Sequence, residues 1–158
     1  MKKLIVAIAV LFLSLTVAQA QPYKAAVGLE GGFDGVGITY KQFNSPSFFM
    51  DYKANLGFRG GITVVYVTDT FDWNVPITGG LQFFYGLGAG VGAAFSSGAA
   101  IFQTAVFGNL GLEYDFSAIP FAISLDWNPG YYMAFANGMY GNFQWNHNCL
   151  NLGLKYTF

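Results

Sequence analysis

The 158 residues are 54% hydrophobic and 19% aromatic but only 9% charged, with a formal net charge of −1. That aromatic content excludes a disordered chain, 21 glycines without a three-residue period exclude collagen, and a soluble domain would carry roughly one-quarter charged residues. The length allows one domain.

Lys2 and Lys3 precede an apolar stretch from Leu4 to about Leu15 that closes on Ala18-Gln19-Ala20. This is the form of a secretory signal peptide cleaved after Ala20, and the run is too short for a membrane-spanning helix of about 20 residues. Residues 21–158 are then the mature chain, with five basic and eight acidic side chains and no basic patch for nucleic acid. No later window of about 18 residues is free of polar groups, so helices do not span a bilayer here. A closed β-barrel is the other structure that satisfies every backbone hydrogen bond inside a membrane.

Alternation of apolar and polar residues, the mark of a barrel strand, runs through most of the mature chain. Tyr23, Ala25, Val27, Leu29 and Phe33 are expected to face outward and Lys24, Ala26, Gly28, Glu30 and Gly32 inward, up to a hairpin turn at Asp34-Gly35. Val36, Ile38 and Tyr40 then alternate with Gly37, Thr39 and Lys41, followed by a turn around Pro46. The third strand sets Phe48, Met50, Tyr52, Ala54, Leu56 and Phe58 against Phe49, Asp51, Lys53, Asn55, Gly57 and Arg59, and Gly60-Gly61 turns the chain. A fourth strand is placed near 62–67, followed by a long connection over 68–80. Beyond it, Leu81 to Val91 alternates with four inward glycines, a sign of a crowded interior or a bent strand. Segments at 109–116 and 121–128 alternate around a turn at Ser117 to Pro120, and the chain ends on Leu150, Leu152, Leu154, Tyr156 and Phe158 against Cys149, Asn151, Gly153, Lys155 and Thr157. The region from about Ala134 to Asn148 reads as an outer loop.

Eight such segments predict an all-β fold, an eight-stranded antiparallel transmembrane barrel with a side-chain-filled lumen. Charge placement separates it from a soluble sandwich. Lys24, Glu30, Lys41, Asp51, Lys53, Arg59, Glu113, Asp115, Asp126 and Lys155 all share the inward phase, while Asp34, Asp69 and Asp72 are assigned to connections. A charge facing hydrocarbon at mid-height costs about 2–4 kcal/mol. Five basic and five acidic inward groups predict a neutral, ion-paired plug. With an exported N-terminus and an even strand number, both termini are expected in the periplasm. An aromatic ring is expected there from Tyr23, Tyr40, Phe43, Phe48, Tyr66, Phe83, Tyr85, Tyr114, Phe116, Phe121, Tyr156 and Phe158.

Several stretches carry a family resemblance: Gly37-Ile38-Thr39-Tyr40-Lys41, Tyr85 to Gly90, Leu112 to Phe116 with Ile119-Pro120-Phe121, Ser124 to Pro129, and the ending Lys155-Tyr156-Thr157-Phe158. The mature chain resembles small hypothetical outer-membrane β-barrel proteins of Gram-negative bacteria, similar in architecture to the OmpA/OmpX type. That resemblance implies a location in the outer membrane among its lipids. It also implies that Tyr156 and Phe158 act as an assembly signal read by the barrel assembly machinery, and it implies no established activity.

Chemistry is sparse. His147 is the sharpest candidate, as a general base in a lipid A acyl-modifying enzyme, but no serine lies near it in sequence, and a rim histidine is the simpler reading. One His and one Cys without ligand spacing hold no metal, and no cofactor motif is present. The expectation is therefore a structural or surface-interaction barrel with an unidentified surface ligand. A lipid A-modifying enzyme and a narrow channel are the alternatives.

Overall fold

The computed structural model describes residues 23–33, 35–59, 61–96, 99–136, 139–147 and 149–158, and at 59, 96, 99, 136 and 139–142 the backbone only. The expected leader over 1–20 lies outside the described residues. The described residues form ten strands: β1 (Ala25–Gly32), β2 (Gly35–Ser45), β3 (Phe48–Arg59), β4 (Ile62–Thr78), β5 (Leu81–Ser96), β6 (Ala99–Asp115), β7 (Phe121–Trp127), β8 (Gly130–Ala136), β9 (Met139–Asn146) and β10 (Leu150–Thr157). They build eight walls, because β6 pairs with β7 near its end and with β8 higher up, and β9 and β10 follow in line. Pro129 has no amide hydrogen to give the ladder, so the seventh wall breaks there, while the Pro129 carbonyl still accepts from the Gly108 amide at 2.9 Å. β1 pairs antiparallel with both β2 and β10, which closes the barrel.

Alternation decides what faces where. Leu29, Phe58 and Leu87 project outward and are about two-thirds exposed, part of an apolar band running round the molecule, whereas Lys41, Glu113 and Lys155 point inward and are buried. Following paired residues from Tyr156 through Val27, Tyr40, Tyr52, Asp69, Ala89, Val106 and Tyr131 returns to the eighth wall at Trp145, eleven residues earlier. Such an offset is the stagger that closing a barrel imposes on tilted strands. That line therefore climbs from the end that carries the termini to the far end.

Several expectations are corrected. The 68–80 connection does not exist as a loop: β4 continues through Thr78 and turns tightly at Gly79 and Gly80, both with positive φ. The phase continues with it, so Asp72 points inward and is fully buried, while Asp69 falls on the outward phase between Val67 and Phe71. Most of the 134–148 loop is likewise strand, paired with β8 from Gly130↔Asn146 to Ala136↔Met139. Three residues leave the expected aromatic ring. Tyr23 and Phe43 turn inward around Lys41, and Tyr66 points inward in the far half, against Phe107 and Ala105. Ala25, expected outward, is buried.

The inward glycines of β5 make room for rings. A Cβ at Gly92 or Gly90 would meet the Tyr66 ring, one at Gly88 the Phe107 ring, and one at Gly111 on β6 the Phe84 ring. The crowded-interior reading of this segment is the one the structure follows.

Candidate functional site

The lumen has two storeys. At the terminal end, the Lys41 ammonium sits 3.7 Å from the Phe49 ring centre and 4.9 Å from that of Phe43, with Phe84 and Tyr23 completing the cage. Aromatic faces attract a desolvated cation, and Lys41 also reaches Glu113 Oε1 at 2.8 Å. Tyr23, just ahead of β1, donates to the same oxygen at 2.6 Å. Burial first, then the neighbouring Glu113 carboxylate, hold its phenol well above the ordinary pKa, so it remains a donor.

From Glu113 the ion pairs zigzag away from the termini. Lys155 bridges Glu113 Oε2 at 3.3 Å and Asp51 Oδ2 at 3.4 Å, and Lys53 bridges Asp126 at 2.8 Å and Glu30 at 2.9 Å, with Asp51 at 4.0 Å. Thr39 donates to Asp51 from the neighbouring strand. These side chains come from β1, β2, β3, β6, β7 and β10, so the ladder ties distant walls together. Beside it runs a ladder of amides: Asn151 donates to Asn128 at 3.1 Å, Asn128 to Asn109 at 2.6 Å, and Asn109 to both Asp72 oxygens at 2.9 Å. Buried charge persists only with partners, and here it has them.

Seven of the ten expected lumenal charges are brought together: Glu30, Lys41, Asp51, Lys53, Glu113, Asp126 and Lys155. Lys24 is a correction, since it lies in a bend before β1 and is exposed. Asp115 ends β6 half-buried and joins no ion pair among the described residues. The side chain of Arg59 lies outside the described residues. Among the described buried charges, three lysines face five carboxylates: of the five expected basic groups Lys24 is exposed and Arg59 is not described, while Asp72, expected in a connection, stands inside in place of the half-buried Asp115. Among the described residues Asp72 forms no ion pair and is held by the Thr70 hydroxyl and the Asn109 amide instead.

Above Glu30 and Lys53 the lumen widens into a cavity of about 730 Å³. Its floor is polar, with Asn55, Thr68, Asn128 and Asn151 beside the Lys53–Glu30 pair, and its wall is apolar, with Val64, Tyr66, Ile101, Phe107 and Tyr132. The rim is uneven for a reason visible in the pairing. The β1–β2 hairpin stops at Gly32↔Gly35, so among the described residues β3 from Gly57 to Arg59 pairs above it with β4 alone, and β9 with β8 alone. Phe33, Phe58 and Trp145 stand around this low side. The short loop after Gly32 thus sets the opening. Sequence reasoning found the short loop but not the cavity, because the cavity requires knowing which strands outrun their neighbours.

His147 is on the cavity rim and is exposed. Its backbone carbonyl accepts from Trp127 Nε1 at 2.8 Å, and among the described residues no hydroxyl or carboxylate hydrogen-bonds its ring. Cys149 is buried and inward, 4.0 Å from the Tyr132 hydroxyl. No group of three metal-ligating side chains occurs among the described residues.

No protein-family model matches the chain, and no curated protein does. Among solved structures the chain is similar to Neisserial surface protein A (NspA), at 12% identity and TM-score 0.45 over 85% of this chain and 93% of that one. It is also similar to CarO of Acinetobacter baumannii, at 11% identity and TM-score 0.41 over 86% and 98%.

Proposed function

We propose that this chain is a non-conducting, non-catalytic barrel of the bacterial outer membrane, with both termini in the periplasm and a surface-interaction role carried by its outward-opening cavity. The observation behind this reading is the unbroken ladder from the Lys41 cage through Glu113, Lys155, Asp51 and Lys53 to Glu30. Eight strands enclose a space that side chains can fill, and bridged side chains leave a hydrated ion no continuous path. The cavity above is closed below by this plug, so it is suited to holding a ligand rather than passing one. Mixed aromatic and amide linings are common at binding surfaces. Tyr156 and Phe158, outward at the last strand, fit the role of the assembly signal.

The purified barrel in planar bilayers is expected to show no unit conductance. Reproducible single-channel steps would overturn the plugged reading in favour of a narrow channel. A lipid A-modifying enzyme is the other rival, and the isolated His147 ring weighs against it. Expression of the wild-type protein is expected to leave the lipid A mass profile unchanged. A mass shift that His147→Ala abolishes would establish the enzyme instead.

A further inference from the structure

The cavity above the plug is one-sided in its hydrogen bonding. On its floor Lys53 stands among Asp126 at 2.8 Å, Glu30 at 2.9 Å and Asp51 at 4.0 Å, so its donors are directed at carboxylates already in place. Glu30 uses Oε2 for this pair, while its Oε1 accepts from no described residue and is left uncovered at the floor. The amide ladder reaches the same place with a fixed direction. Asp72 accepts on both oxygens, so Asn109 turns its NH2 group toward it, Asn128 donates to Asn109, and Asn151 donates to Asn128. The ladder therefore ends at the cavity on an acceptor, Asn151 Oδ1, which accepts from no described residue either. Gly32 leaves room for this oxygen, since a Cβ there would collide with it. Asn151 lies diagonal to Glu30 across the β1–β10 pairing, so one small head group can reach both acceptors.

We propose that the cavity takes a small molecule with a protonated amine head and a flat apolar body, the head on Glu30 Oε1 and Asn151 Oδ1 and the body along the ring-lined wall. This rests on the reading of the cavity as a binding site closed below by the plug, and adds the chemical class of its occupant. A carboxylate or phosphate head would meet two bare acceptors and a lysine already paired, whereas an ammonium supplies three donors. A hydroxyl can donate as well, but the local charge favours a cation: Lys53 is shared among three carboxylates, of which Asp51 alone has a second lysine, Lys155, among the described residues. Asn55 and Thr68 beside them are neutral. Above the floor the Tyr66 and Tyr132 rings lie 6.0 Å apart between centres, with Phe107 packed against Tyr66. Such rings attract a cation and stack on a flat body. A volume of about 730 Å³ suits a small organic ligand.

The test uses the purified barrel in nanodiscs of zwitterionic lipid, with three probes that share one indole body, measured by equilibrium dialysis against empty discs. Tryptamine carries an ammonium, tryptophol a hydroxyl and 3-indolepropionate a carboxylate. Tryptamine is expected to bind about tenfold more tightly than tryptophol, the difference between a charge-assisted and a neutral hydrogen bond, and 3-indolepropionate no more than to empty discs. Ala94→Trp, which fills the cavity from its wall, is expected to remove tryptamine binding. Glu30→Gln is expected to bring tryptamine down to the level of tryptophol. Gln103→Lys adds a cation to the lining outside the plug, and is expected to weaken tryptamine about tenfold while leaving tryptophol unchanged, which keeps the proposal testable if Glu30→Gln does not fold. An unheated gel reports folding of each variant. No binding of tryptamine, equal binding of tryptamine and tryptophol, tighter binding of 3-indolepropionate, full tryptamine binding by folded Ala94→Trp, or no effect of Gln103→Lys would each overturn the proposal. With silent planar bilayers such a result removes only the head group and leaves the plugged cavity standing, whereas conductance steps would remove both.

Discussion

Glu113→Gln is expected to cost about 3–5 kcal/mol of folding free energy, the range for removing one partner of a buried ion pair. Glu113 is fully buried and serves three donors: Lys41 at 2.8 Å, Lys155 at 3.3 Å and Tyr23 at 2.6 Å. Glutamine has nearly the same shape and removes the charge, leaving Lys41 with its aromatic cage and Lys155 with Asp51 alone. The measurement is urea-induced unfolding from lipid vesicles, read by the mobility difference between folded and heated barrel. The double variant Lys41→Met with Glu113→Leu supplies the control, because exchanging a buried pair for apolar groups of similar volume is often close to neutral. Its loss is expected to be smaller than that of the single variant. An equal or larger loss would mean that packing, not charge compensation, dominates at this position.

Gly28→Val is expected to prevent the barrel from closing. A Cβ at Gly28 would run into the Leu154 carbonyl and the Lys155 side chain on β10, at the seam between the first and last walls. Ordinary overpacking costs about 1–3 kcal/mol because side chains move aside. Here part of the obstacle is backbone in a paired strand, which moves only if the pairing does. Slipping β1 by one residue would turn Glu30 outward and strip Lys53 of a partner, so the register offers no escape. Folded yield in vesicles is expected to drop to a small fraction of wild type. Gly31→Ala, on the outward face with its nearest obstacle 3.8 Å away at Val36, is expected to fold normally. Comparable yields of the two variants would show that the seam tolerates a side chain.

Where a strand keeps a strict two-residue period, the sequence is legible. In β10, Leu150, Leu152 and Leu154 face out while Lys155 and Thr157 are buried, as alternation alone demands. β4 was legible only in part because Thr68, Asp69, Thr70 and Asp72 put polar groups on both faces in succession, which erases the period and mimics a loop. The glycine and asparagines of β9 have the same effect on the eighth wall. Tyr23 and Phe43 were misplaced for a different reason. An aromatic side chain near a strand end suits either the membrane interface or a lumenal cation, and only the position of Lys41 decides between them.

By itself the sequence determined that the chain forms the alternating strands of an antiparallel barrel and that most charges share the inward phase, since a two-residue period fixes the face of each side chain within its own strand. Which lysine meets which carboxylate was decided by the tertiary structure, because Lys53 and Asp126, or Lys41 and Glu113, lie more than seventy residues apart and meet only through the stagger of the closed sheet. The cavity has the same origin. It exists where β4, β5, β6, β8 and β9 rise past the short β1–β2 hairpin, a difference in height that no single strand encodes.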